Sequence, residues 1–528
     1  MKRHELIIIG AGPAGLSAAI EAKKTGMDVI VFDENARPGG QLFKQIHKFF
    51  GSKEHHAKER GFHIGEDLLN EATSLGVKVE LNATVMGIYE NKEITVKKDG
   101  QVYHYKGDSI LIATGAAENM IPFKGWDTPG VIGAGAAQTL MNIQGVQPGS
   151  KILMVGSGNV GLVVSFQLLQ AGCEIAAIID AAPRVGGYGV HASKLARIGV
   201  PFYMSHTIIE AKGDGHVEAA VIAEVDDHFQ PIPGTEQELD VDTICIAVGL
   251  SPMSQLASNA TCDMALVPQK GGNVATLNAY GETSVEGIFC AGDVAGIEEA
   301  SSAMIQGRKV AIYVAMKGGY LTEDEFNDRF KSYEDALGQL RQGMFAPQNK
   351  GRNDFTVTEE GYPISKNLLK KGYVTEEELE NFPAYSYKKA GVHPVIECTQ
   401  NIPCNPCQDS CKIGCIRVGA NITQIPQIDE EKKCVGCGMC VASCSGQAIF
   451  LVDETYEPGY ASVGFPYEFL PAPVVGEKGK ALDRKGTVVC DAEIIDVKKV
   501  PAMDKTMVVT MKVPVEYVNA CRFYKPLA

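Results

Sequence analysis

The sequence has little positive charge and few long apolar runs. Its 49 Lys and Arg residues are outnumbered by 64 Asp and Glu residues, which gives a formal net charge of −15. Proteins that bind nucleic acids normally carry a basic surface, so this balance argues against that class. Residues 152–173 carry no charge, but Gly156, Asn159 and Gln167 interrupt them, which is typical of a strand–turn–helix and not of a membrane span.

The features of a secretory leader are also lacking. A charged head precedes the N-terminal apolar stretch, yet Glu5 interrupts that head and glycines from Gly10 onwards occupy the apolar part. A buried strand explains this stretch better than a signal peptide does, so we expect a soluble, cytoplasmic protein. The 528 residues, of which 45% are hydrophobic, are enough for several domains with cores of their own.

Cysteine is present but unevenly distributed. Nine of the 15 cysteines lie between Cys398 and Cys444. A secreted disulfide protein spreads its cysteines through a short chain, whereas a dense cluster in one segment of a long chain indicates metal binding.

A glycine fingerprint opens the chain. The apolar residues 6–9 lead into Gly10-Ala11-Gly12-Pro13-Ala14-Gly15 and then into a predicted helix, and a second apolar run, residues 29–32, ends at Asp33. This is G-x-G-x-x-G between a strand and a helix, the setting in which backbone amides bind a pyrophosphate. Asp33 is placed to accept a hydrogen bond from a ribose hydroxyl. The alternative, a glycine turn beside a solvated Asp33, leaves this coincidence of strand, helix and acid unexplained.

A second fingerprint follows the same plan. Residues 152–155 precede Gly156-Ser157-Gly158-Asn159-Val160-Gly161, and the next apolar run, residues 175–179, ends at Asp180. An acid at this position favours the free ribose hydroxyl of NAD over the phosphate of NADP. Two alternatives stay open, namely a domain kept as scaffold and a domain holding a nucleotide without redox chemistry.

Two segments in the cysteine-rich part align with each other. The second has the C-x2-C-x2-C-x3-C spacing of bacterial ferredoxins, in which the fourth cysteine ligates the other cluster. We assign one 4Fe–4S cluster to Cys398, Cys404, Cys407 and Cys444, and the other to Cys411, Cys434, Cys437 and Cys440. Cys415 is expected to be a spare buried thiol, with replacement of Cys398 as its alternative role. Zinc, the alternative metal, does not explain eight cysteines in this repeated order.

The rest of the chain suggests contacts and no chemistry. Thr322 and Thr375 each open a charged run with a Thr-x-x-Glu capping box, which predicts a helical connector over residues 319–393. Alternating β-type runs at 487–490, 493–497 and 507–513 predict a small β-barrel in the tail. No nucleophile or acid–base pair has a convincing setting, so no catalytic residue is assigned.

Further motifs resemble flavoproteins with two dinucleotide-binding domains. Arg37-Pro38-Gly39-Gly40-Gln41 follows Asp33, residues 110–115 resemble the crossover strand of that superfamily, and residues 283–293 resemble its closing FAD motif. The resemblance implies an α/β fold with two Rossmann-like domains of the glutathione/thioredoxin-reductase type, with FAD in the first and possible NAD(H) in the second. It implies these FAD-binding residues: Gly10, Gly12, Pro13, Ala14, Gly15, Asp33, Glu34, Arg37, Gly40, Gln41, Thr114, Gly115, Gly292 and Asp293, the last on the ribityl chain. Gly156, Gly158, Gly161 and Asp180 are expected to bind the second nucleotide.

The domain plan expected on this basis has five parts. Residues 1–118 with 277–318 would form the FAD domain, and residues 119–276 the NAD(P)-binding-like domain. The connector (319–393), a two-cluster ferredoxin-like domain (394–455) and the small β domain (456–528) would follow.

Residues 1–320 are similar to the nucleotide-binding subunits of hydrogen cyanide synthase, opine oxidase, dye-linked proline dehydrogenase and heterotetrameric sarcosine oxidase. This resemblance implies an electron-transfer subunit of an amine or amino-acid dehydrogenase complex, working beside a second FAD-containing subunit of the amino-acid-oxidase type. Many of these relatives carry a 2Fe–2S domain, from which the two predicted 4Fe–4S clusters depart. A self-contained NADH-dependent reductase is the alternative. A disulfide reductase is disfavoured, because no cysteine pair follows Gly39-Gly40 and the second nucleotide domain has no C-x-x-C.

Overall fold

A computed structural model describes residues 1–352, 354–385 and 390–527. Its α-helices are α1 Pro13–Lys24, α2 Gly61–Ser74, α3 Ala134–Gln138, α4 Asn159–Gln170, α5 Gly189–Ala196, α6 Gln255–Asn259, α7 Ala300–Lys317, α8 Glu323–Leu340, α9 Lys366–Lys371, α10 Glu376–Leu379, α11 Pro406–Ser410 and α12 Met439–Ser443.

The strands of the N-terminal half are β1 Lys2–Ile9, β2 Val29–Phe32, β3 Lys78–Glu80, β4 Ala83–Tyr89, β5 Glu93–Lys98, β6 Gln101–Ile112, β7 Ala116–Glu118, β8 Val131–Gly133, β9 Lys151–Val155, β10 Glu174–Asp180, β11 Phe202–Met204, β12 His206–Lys212, β13 Ala219–Glu224, β14 Gln237–Asp240 and β15 Thr243–Ile246. Those that follow are β16 Leu250–Pro252, β17 Met264–Val267, β18 Gly272–Ala275, β19 Ile288–Cys290, β20 His393–Ile396, β21 Ile416–Arg417, β22 Gln427–Ile428, β23 Ile449–Glu457, β24 Tyr460–Tyr467, β25 Lys478–Leu482, β26 Val488–Lys498, β27 Met507–Pro514 and β28 Phe523–Pro526.

The chain divides into two compact units. The first contains Met1–Phe49, Glu54–Asn119 and Gly249–Gly351. Its sheet has the order β3-β2-β1-β6-β5-β4, with β19 beside β6, and β1, β2, β3, β6 and β19 run parallel. The strand residues Leu6 and Ile8 are fully buried on one face of β1, and Ile7 is fully buried on the other. Each such side chain contributes about 1.5–3 kcal/mol through burial, which anchors the strand that leads to the first glycine turn.

Helices α1 and α7 cover one face of this sheet and touch closely. A Cβ atom added to Gly307 of α7 would overlap the backbone of Ala14 in α1. Residues 249–276, expected with the second dinucleotide domain, are counted with this first unit. The reason is that β16 pairs antiparallel with β7, with Leu250 opposite Glu118.

The second unit contains Phe50–Lys53, Met120–Val248 and Arg352–Ala528. Its parallel sheet has the order β11-β10-β9-β15-β8, and helix α4 follows the second glycine turn. The same unit contains a separate antiparallel sheet with the order β12-β13-β14. Both units therefore contain a Rossmann-like sheet, as the sequence predicts.

The C-terminal strands form one sheet with the strands that flank the cysteine segment. Its order is β20-β23-β24-β27-β26-β25-β28, so the tail is not a separate small β-barrel as expected. The reason is a tight hairpin: β23 continues past the expected boundary at residue 455 and turns at Gly459 into β24, with Glu457 paired to Tyr460. The two runs expected at 487–490 and 493–497 are one bulged strand, β26.

The expected connector contains the helices whose starts the sequence predicts. Thr322 and Thr375 both form complete capping boxes, with Glu325 and Glu378 as their respective partners. The first opens α8, which is counted with the first unit, and the second opens α10, which is counted with the second. Among the helices in the described part of the chain, none has the length and apolar character needed to cross a bilayer.

Candidate functional site

The first glycine turn is tightly closed on one side and open on the other. Gly10 has φ +107°, and a Cβ atom there would overlap the Ala113 carbonyl oxygen. A Cβ atom on Gly15 would overlap the carbonyl of Gly10, whereas a Cβ atom on Gly12 would meet nothing within 4 Å. Gly10 and Gly15 are thus required by the fold, and the open space at Gly12 is where a pyrophosphate can approach the backbone.

The second glycine turn repeats this geometry. Gly156 has φ +113°, and a Cβ atom there would overlap the Ala247 carbonyl. A Cβ atom on Gly161 would overlap the carbonyl of Gly156, whereas a Cβ atom on Gly158 would meet nothing within 4 Å. The turn at residues 156–161 therefore has the same closed and open sides as the turn at residues 10–15.

The two acids predicted to bind ribose hold equivalent positions. Asp33 accepts hydrogen bonds from Ala11 N at 2.7 Å and from Asn35 N at 2.8 Å. Asp180 accepts them from Ser157 N at 2.7 Å and from Ala182 N at 2.9 Å. Each carboxylate is fixed beside its glycine turn by one amide of the turn and one amide two residues further along the chain.

Ser157 distinguishes the second turn from the first. Its hydroxyl donates to Asp180 Oδ2 at 2.6 Å and accepts from Gly186 N at 3.0 Å. The equivalent residue in the first turn is Ala11, which has no side-chain donor. Part of the hydrogen-bonding capacity of Asp180 is thus used within the chain.

Sequence reasoning missed a second part of this repeat. Arg184 and Gly186-Gly187 follow Asp180 at the same spacing with which Arg37 and Gly39-Gly40 follow Asp33. Gly39 N donates to Ala11 O at 2.7 Å, and Gly187 N donates to Ser157 O at 2.9 Å, so both glycine pairs lie against their turns. The shared pattern D-x3-R-x-G-G was the signal, and aligning the two βαβ units would have found it.

The remaining residues expected at the flavin lie in the first unit. Glu34, Arg37 and Gln41 are exposed, with the Arg37 guanidinium 3.6 Å from the centre of the Phe43 ring. Thr114 Oγ1 donates to Met253 O at 2.8 Å, and Gly115 has a positive φ of 73°.

The closing motif lies against the first glycine turn. A Cβ atom on Gly292 would be 3.0 Å from the Ala14 Cβ, so residues 292–293 and helix α1 are in direct contact. Burial raises the pKa of Asp293 to about 6, and the nearby Glu298 carboxylate adds to the rise, although Glu298 N donates to Asp293 Oδ1 at 3.2 Å. The structure thus brings the fingerprint and Asp293 together.

Four of the cysteines line a single cavity in the second unit. Cys398, Cys404, Cys407 and Cys444 surround it together with apolar side chains such as Phe50 and Ile396. Burial raises the pKa of Cys398 to about 12, with a further rise from Cys444. Burial and the neighbouring thiols of this group hold the pKa values of Cys404 and Cys407 well above the ordinary range. These four are the members of the first predicted set, called thiol set 1 below.

The other four cysteines also lie close to one another, although at Cys411 hydrogen bonds from backbone amides outweigh burial and lower the pKa. Burial raises the pKa of Cys434, with further contributions from Cys437 and Cys411. Burial also raises the pKa of Cys440, as do Cys434, Cys437 and Cys411. These four are the members of the second predicted set, called thiol set 2. Cys437 is exposed, so this set reaches the protein surface.

A backbone amide donates a hydrogen bond to the fourth cysteine of each of the two aligned motifs. Ala448 N donates to Cys444 Sγ at 3.4 Å, and Cys415 N donates to Cys411 Sγ at 3.2 Å. Cys415 itself is buried beside Cys411 and Cys434 and does not line the cavity at Cys398. Within residues 1–352, 354–385 and 390–527, no three His, Cys, Asp or Glu side chains converge closely enough to hold a single metal ion.

The histidine-rich stretch after the first nucleotide motif is not fully solvated. His47, His55, His56 and His63 suggest a solvated loop, but His55 is only 1% exposed. Its Nε2 lies 2.8 Å from Ala336 O, and its carbonyl accepts a hydrogen bond from Ser301 Oγ at 2.7 Å. The stretch therefore packs at the start of α7, which periodicity does not reveal because the contacts are distant in sequence.

Comparison with known proteins covers about three fifths of the chain. The family model for pyridine nucleotide-disulphide oxidoreductases matches residues 4–307, which end before the cysteine segment. Hydrogen cyanide synthase subunit HcnB of Pseudomonas aeruginosa is 26% identical over 359 residues, which cover 64% of this chain and 77% of that protein. An opine oxidase subunit of Agrobacterium tumefaciens is 28% identical over 347 residues, which cover 58% of this chain and 65% of that protein.

A solved structure has the same fold. L-proline dehydrogenase from P. horikoshii superposes with a TM-score of 0.50 at 21% identity, covering 64% of this chain and 59% of that one. The chain thus spans less than two thirds of the proline dehydrogenase chain and of the opine oxidase subunit. These comparisons confirm the fold class and the resemblance to the nucleotide-binding subunits. The chain belongs to the pyridine nucleotide-disulphide oxidoreductase family, and it is an FAD-dependent oxidoreductase.

Proposed function

We propose that this chain is the electron-transfer subunit of an amine or amino-acid dehydrogenase complex with a proline- or opine-like substrate. It would pass electrons between FAD and two 4Fe–4S clusters. The observation that carries the proposal is the presence of two separate groups of four thiols in a chain whose N-terminal part is an FAD-dependent oxidoreductase. When bound, FAD exchanges electrons in pairs or singly, and iron–sulfur clusters carry them singly.

The first unit supplies the residues that would hold FAD. The open side of the turn at Gly12 would admit the pyrophosphate, and the start of helix α1 would face its negative charge. Asp33 is fixed where a ribose hydroxyl can donate to it, and Asp293 is proposed to bond the ribityl chain. Because its pKa is about 6, Asp293 has a carboxyl that holds its proton in mildly acidic solution.

The two thiol sets would hold the clusters. A cubane takes one thiolate at each of four separate corners, so its ligands need not converge as closely as the ligands of one zinc ion. The described thiols are near enough to shift each other's pKa values without forming a site for a single ion. The buried amides directed at Cys411 and Cys444 are the kind of donor that stabilises thiolate ligands.

The proposed partner is a second FAD-containing dehydrogenase subunit of the amino-acid-oxidase type, in a cytoplasmic hetero-oligomer. The relatives from P. aeruginosa and A. tumefaciens are both named as subunits. Besides the nucleotide sheets and the thiol sets, no catalytic constellation is evident in the described residues. The organic substrate would therefore be oxidised on the partner.

Purification from the native host under anaerobic conditions tests this proposal. We expect a flavoprotein to co-purify, and the native mass to exceed that of one chain. Oxidation of an amine or amino acid with an artificial acceptor should need both proteins. Oxidation of such a substrate by this chain alone would contradict the proposal.

A second function is supported by the geometry of the second glycine turn, which matches the first in its closed and open sides. The chain would then be a self-contained NADH-dependent reductase that delivers single electrons through the clusters. Stopped-flow mixing with NADH decides between the two functions. Rapid bleaching of the flavin by NADH in a monomer would favour the reductase, and no bleaching would favour a second domain without redox chemistry.

A further inference from the structure

Four charged side chains are buried together in the second unit. Arg522 is 0% exposed, Arg197 4%, Glu397 8% and Arg484 9%. Arg484 Nη2 and Arg522 Nε donate to the same carboxylate oxygen, Glu397 Oε1, at 2.7 Å and 2.5 Å. We call these residues the arginine group. It contains two more positive than negative charges, and burying such an excess is costly unless an anion lies nearby.

The arginine group adjoins thiol set 1 through the backbone. Glu397 precedes Cys398, and its amide donates to Ala448 O at 2.8 Å, while Ala448 N donates to Cys444 Sγ. Arg197 Nη1 donates to Gln447 O at 2.8 Å, three residues after Cys444. Glu397 and Arg197 thus both bind the backbone of the residues that directly follow the proposed cluster ligand Cys444.

Arg197 is the member least satisfied by the protein itself. Its Nε is buried and has no hydrogen-bond partner among the described residues. Burial lowers the pKa of Arg197 only to about 10, so the side chain stays charged at neutral pH. Burial raises the pKa of the Cys444 thiol, and the nearby Arg197 charge offsets only part of that rise.

We infer that the arginine group raises the reduction potential of the cluster proposed at Cys398, Cys404, Cys407 and Cys444, with Arg197 as the main tuning residue. The inference rests on the proposed function. A cluster held by four thiolates is negatively charged, and reduction adds one more negative charge. Fixed positive charge in a dry interior stabilises the reduced form, because the attraction is little screened there.

Thiol set 2 has no comparable surroundings among the described residues. Cys437 is exposed, and the cations beside this set are exposed as well. Lys498 donates to Gly436 O at 2.9 Å, but its side chain is 41% exposed and lies 4.0 Å from Asp496, and the Arg417 side chain, ion-paired with Asp429, is 66% exposed. Water screens such a charge, so the arginine group should act on one cluster and leave the other almost unchanged.

Redox titration followed by electron paramagnetic resonance tests the inference on anaerobically purified protein. Cys437→Ser identifies the signal of the cluster at thiol set 1 as the one that remains. Arg197→Met should lower the midpoint potential of this cluster. At the wild-type midpoint potential, the ratio of reduced to oxidised cluster should fall at least tenfold, which corresponds to a fall of 59 mV for a one-electron couple. The potential of the other cluster should not move.

Two further variants separate charge from packing. Arg197→Lys keeps the charge and should keep the potential, whereas Glu397→Gln removes the only anion of the group and should raise it. Lys480→Gln, an exposed charge paired with Asp491, is the control and should change neither potential. If Arg197→Met does not assemble the cluster, the raised potential expected for Glu397→Gln, beside the unchanged potential expected for Arg197→Lys, still decides.

The outcomes distinguish the inference from the proposed function. Wild-type protein without iron would overturn the proposed function and the inference together. Iron-loaded protein in which Arg197→Met and Glu397→Gln leave both potentials unchanged would overturn the inference alone. A shift in Arg197→Lys as large as that in Arg197→Met would also overturn it, because the effect would then come from geometry and not from charge.

Discussion

Gly12 and Gly158 occupy the one fingerprint position at which an added methyl group would meet no protein atom. The flanking glycines, such as Gly10 and Gly15, would each drive a methyl group into a carbonyl. At the residue scale, the same motif thus contains glycines that the fold requires and one glycine that leaves room for a pyrophosphate to approach the backbone. The two kinds can be separated by experiment.

Gly12→Ala should fold normally and lose FAD. Its backbone conformation is open to alanine, so the FAD-free protein should stay within about 0.5 kcal/mol of wild type in unfolding free energy. FAD binding should weaken at least tenfold, about 1.4 kcal/mol, because the methyl group fills the space of the pyrophosphate. Fluorescence titration and thermal melting measure the two effects.

Gly10→Ala is the matched comparison. The positive φ of 107° and the overlap with the Ala113 carbonyl should cost on the order of 2–4 kcal/mol in stability. Equal stability of the two variants, or normal FAD binding by Gly12→Ala, would refute the roles given to these glycines.

Asp293 should make the stability of the FAD-free protein depend on pH. Its pKa is raised from the ordinary 3.8 to about 6, so between these values the folded chain holds a proton that the unfolded chain has released. The protonated Asp293 carboxyl therefore contributes fully to the free energy of unfolding below pH 3.8, and this stabilisation is lost as the pH rises through 6. Asp293→Asn should therefore gain about 1–3 kcal/mol over wild type between pH 4 and pH 7. Denaturant melts at both pH values measure it, and an unchanged difference would contradict the assignment.

At the scale of elements, the two βαβ units show what sequence reasoning can and cannot reach. Strand, turn, helix and terminal acid follow from local patterns, and the structure contains all four in both units. The contact of Gly187 with Ser157 and the burial of His55 depend on residues distant in sequence, which hydrophobic periodicity does not encode. The repeat D-x3-R-x-G-G was available from sequence and shows that comparing units can recover some such contacts.

The second unit should discriminate between nicotinamide nucleotides if it binds them. Asp180 is fixed beside the turn by Ser157 N and Ala182 N, where a ribose phosphate would meet its negative charge. NADH should bind at least tenfold more tightly than NADPH in fluorescence titrations. Asp180→Ala should reduce that preference, with Asp226→Ala, an exposed loop acid, as the control. Tighter binding of NADPH by the wild type would contradict the role of Asp180.

Helix α8 offers a local test of the capping box. Thr322 N and Oγ1 both donate to Glu325 Oε2, at 2.9 Å and 2.8 Å. Thr322→Ala should destabilise the first unit by about 1 kcal/mol. Thr322→Ser, which keeps the hydroxyl, is the control, and thermal melting compares them. Equal losses in both variants would contradict a capping role.

At the scale of the whole molecule, the fold class predicted from the sequence is confirmed, the candidate sites stay predictions, and the way in which the C-terminal strands combine was not predicted. The eight cysteines are recognisable from their spacing. In the structure, four of them line one cavity, and the other four lie close enough to affect one another's pKa values. The joining of β20 and β23 to the tail strands was missed, since strand pairing between distant segments leaves little trace in one sequence. The arginine group was missed for the same reason, because Arg197, Glu397 and Arg522 are far apart in the chain.

We propose that one chain carries FAD together with two iron–sulfur clusters. Metal and flavin analysis of anaerobically purified protein is the decisive measurement. We expect one FAD and about eight iron atoms per chain. Cys437→Ser should lose about half the iron and keep FAD, whereas Cys490→Ser, a thiol outside both sets, should lose none. Zinc with only trace iron in the wild-type protein would contradict the claim.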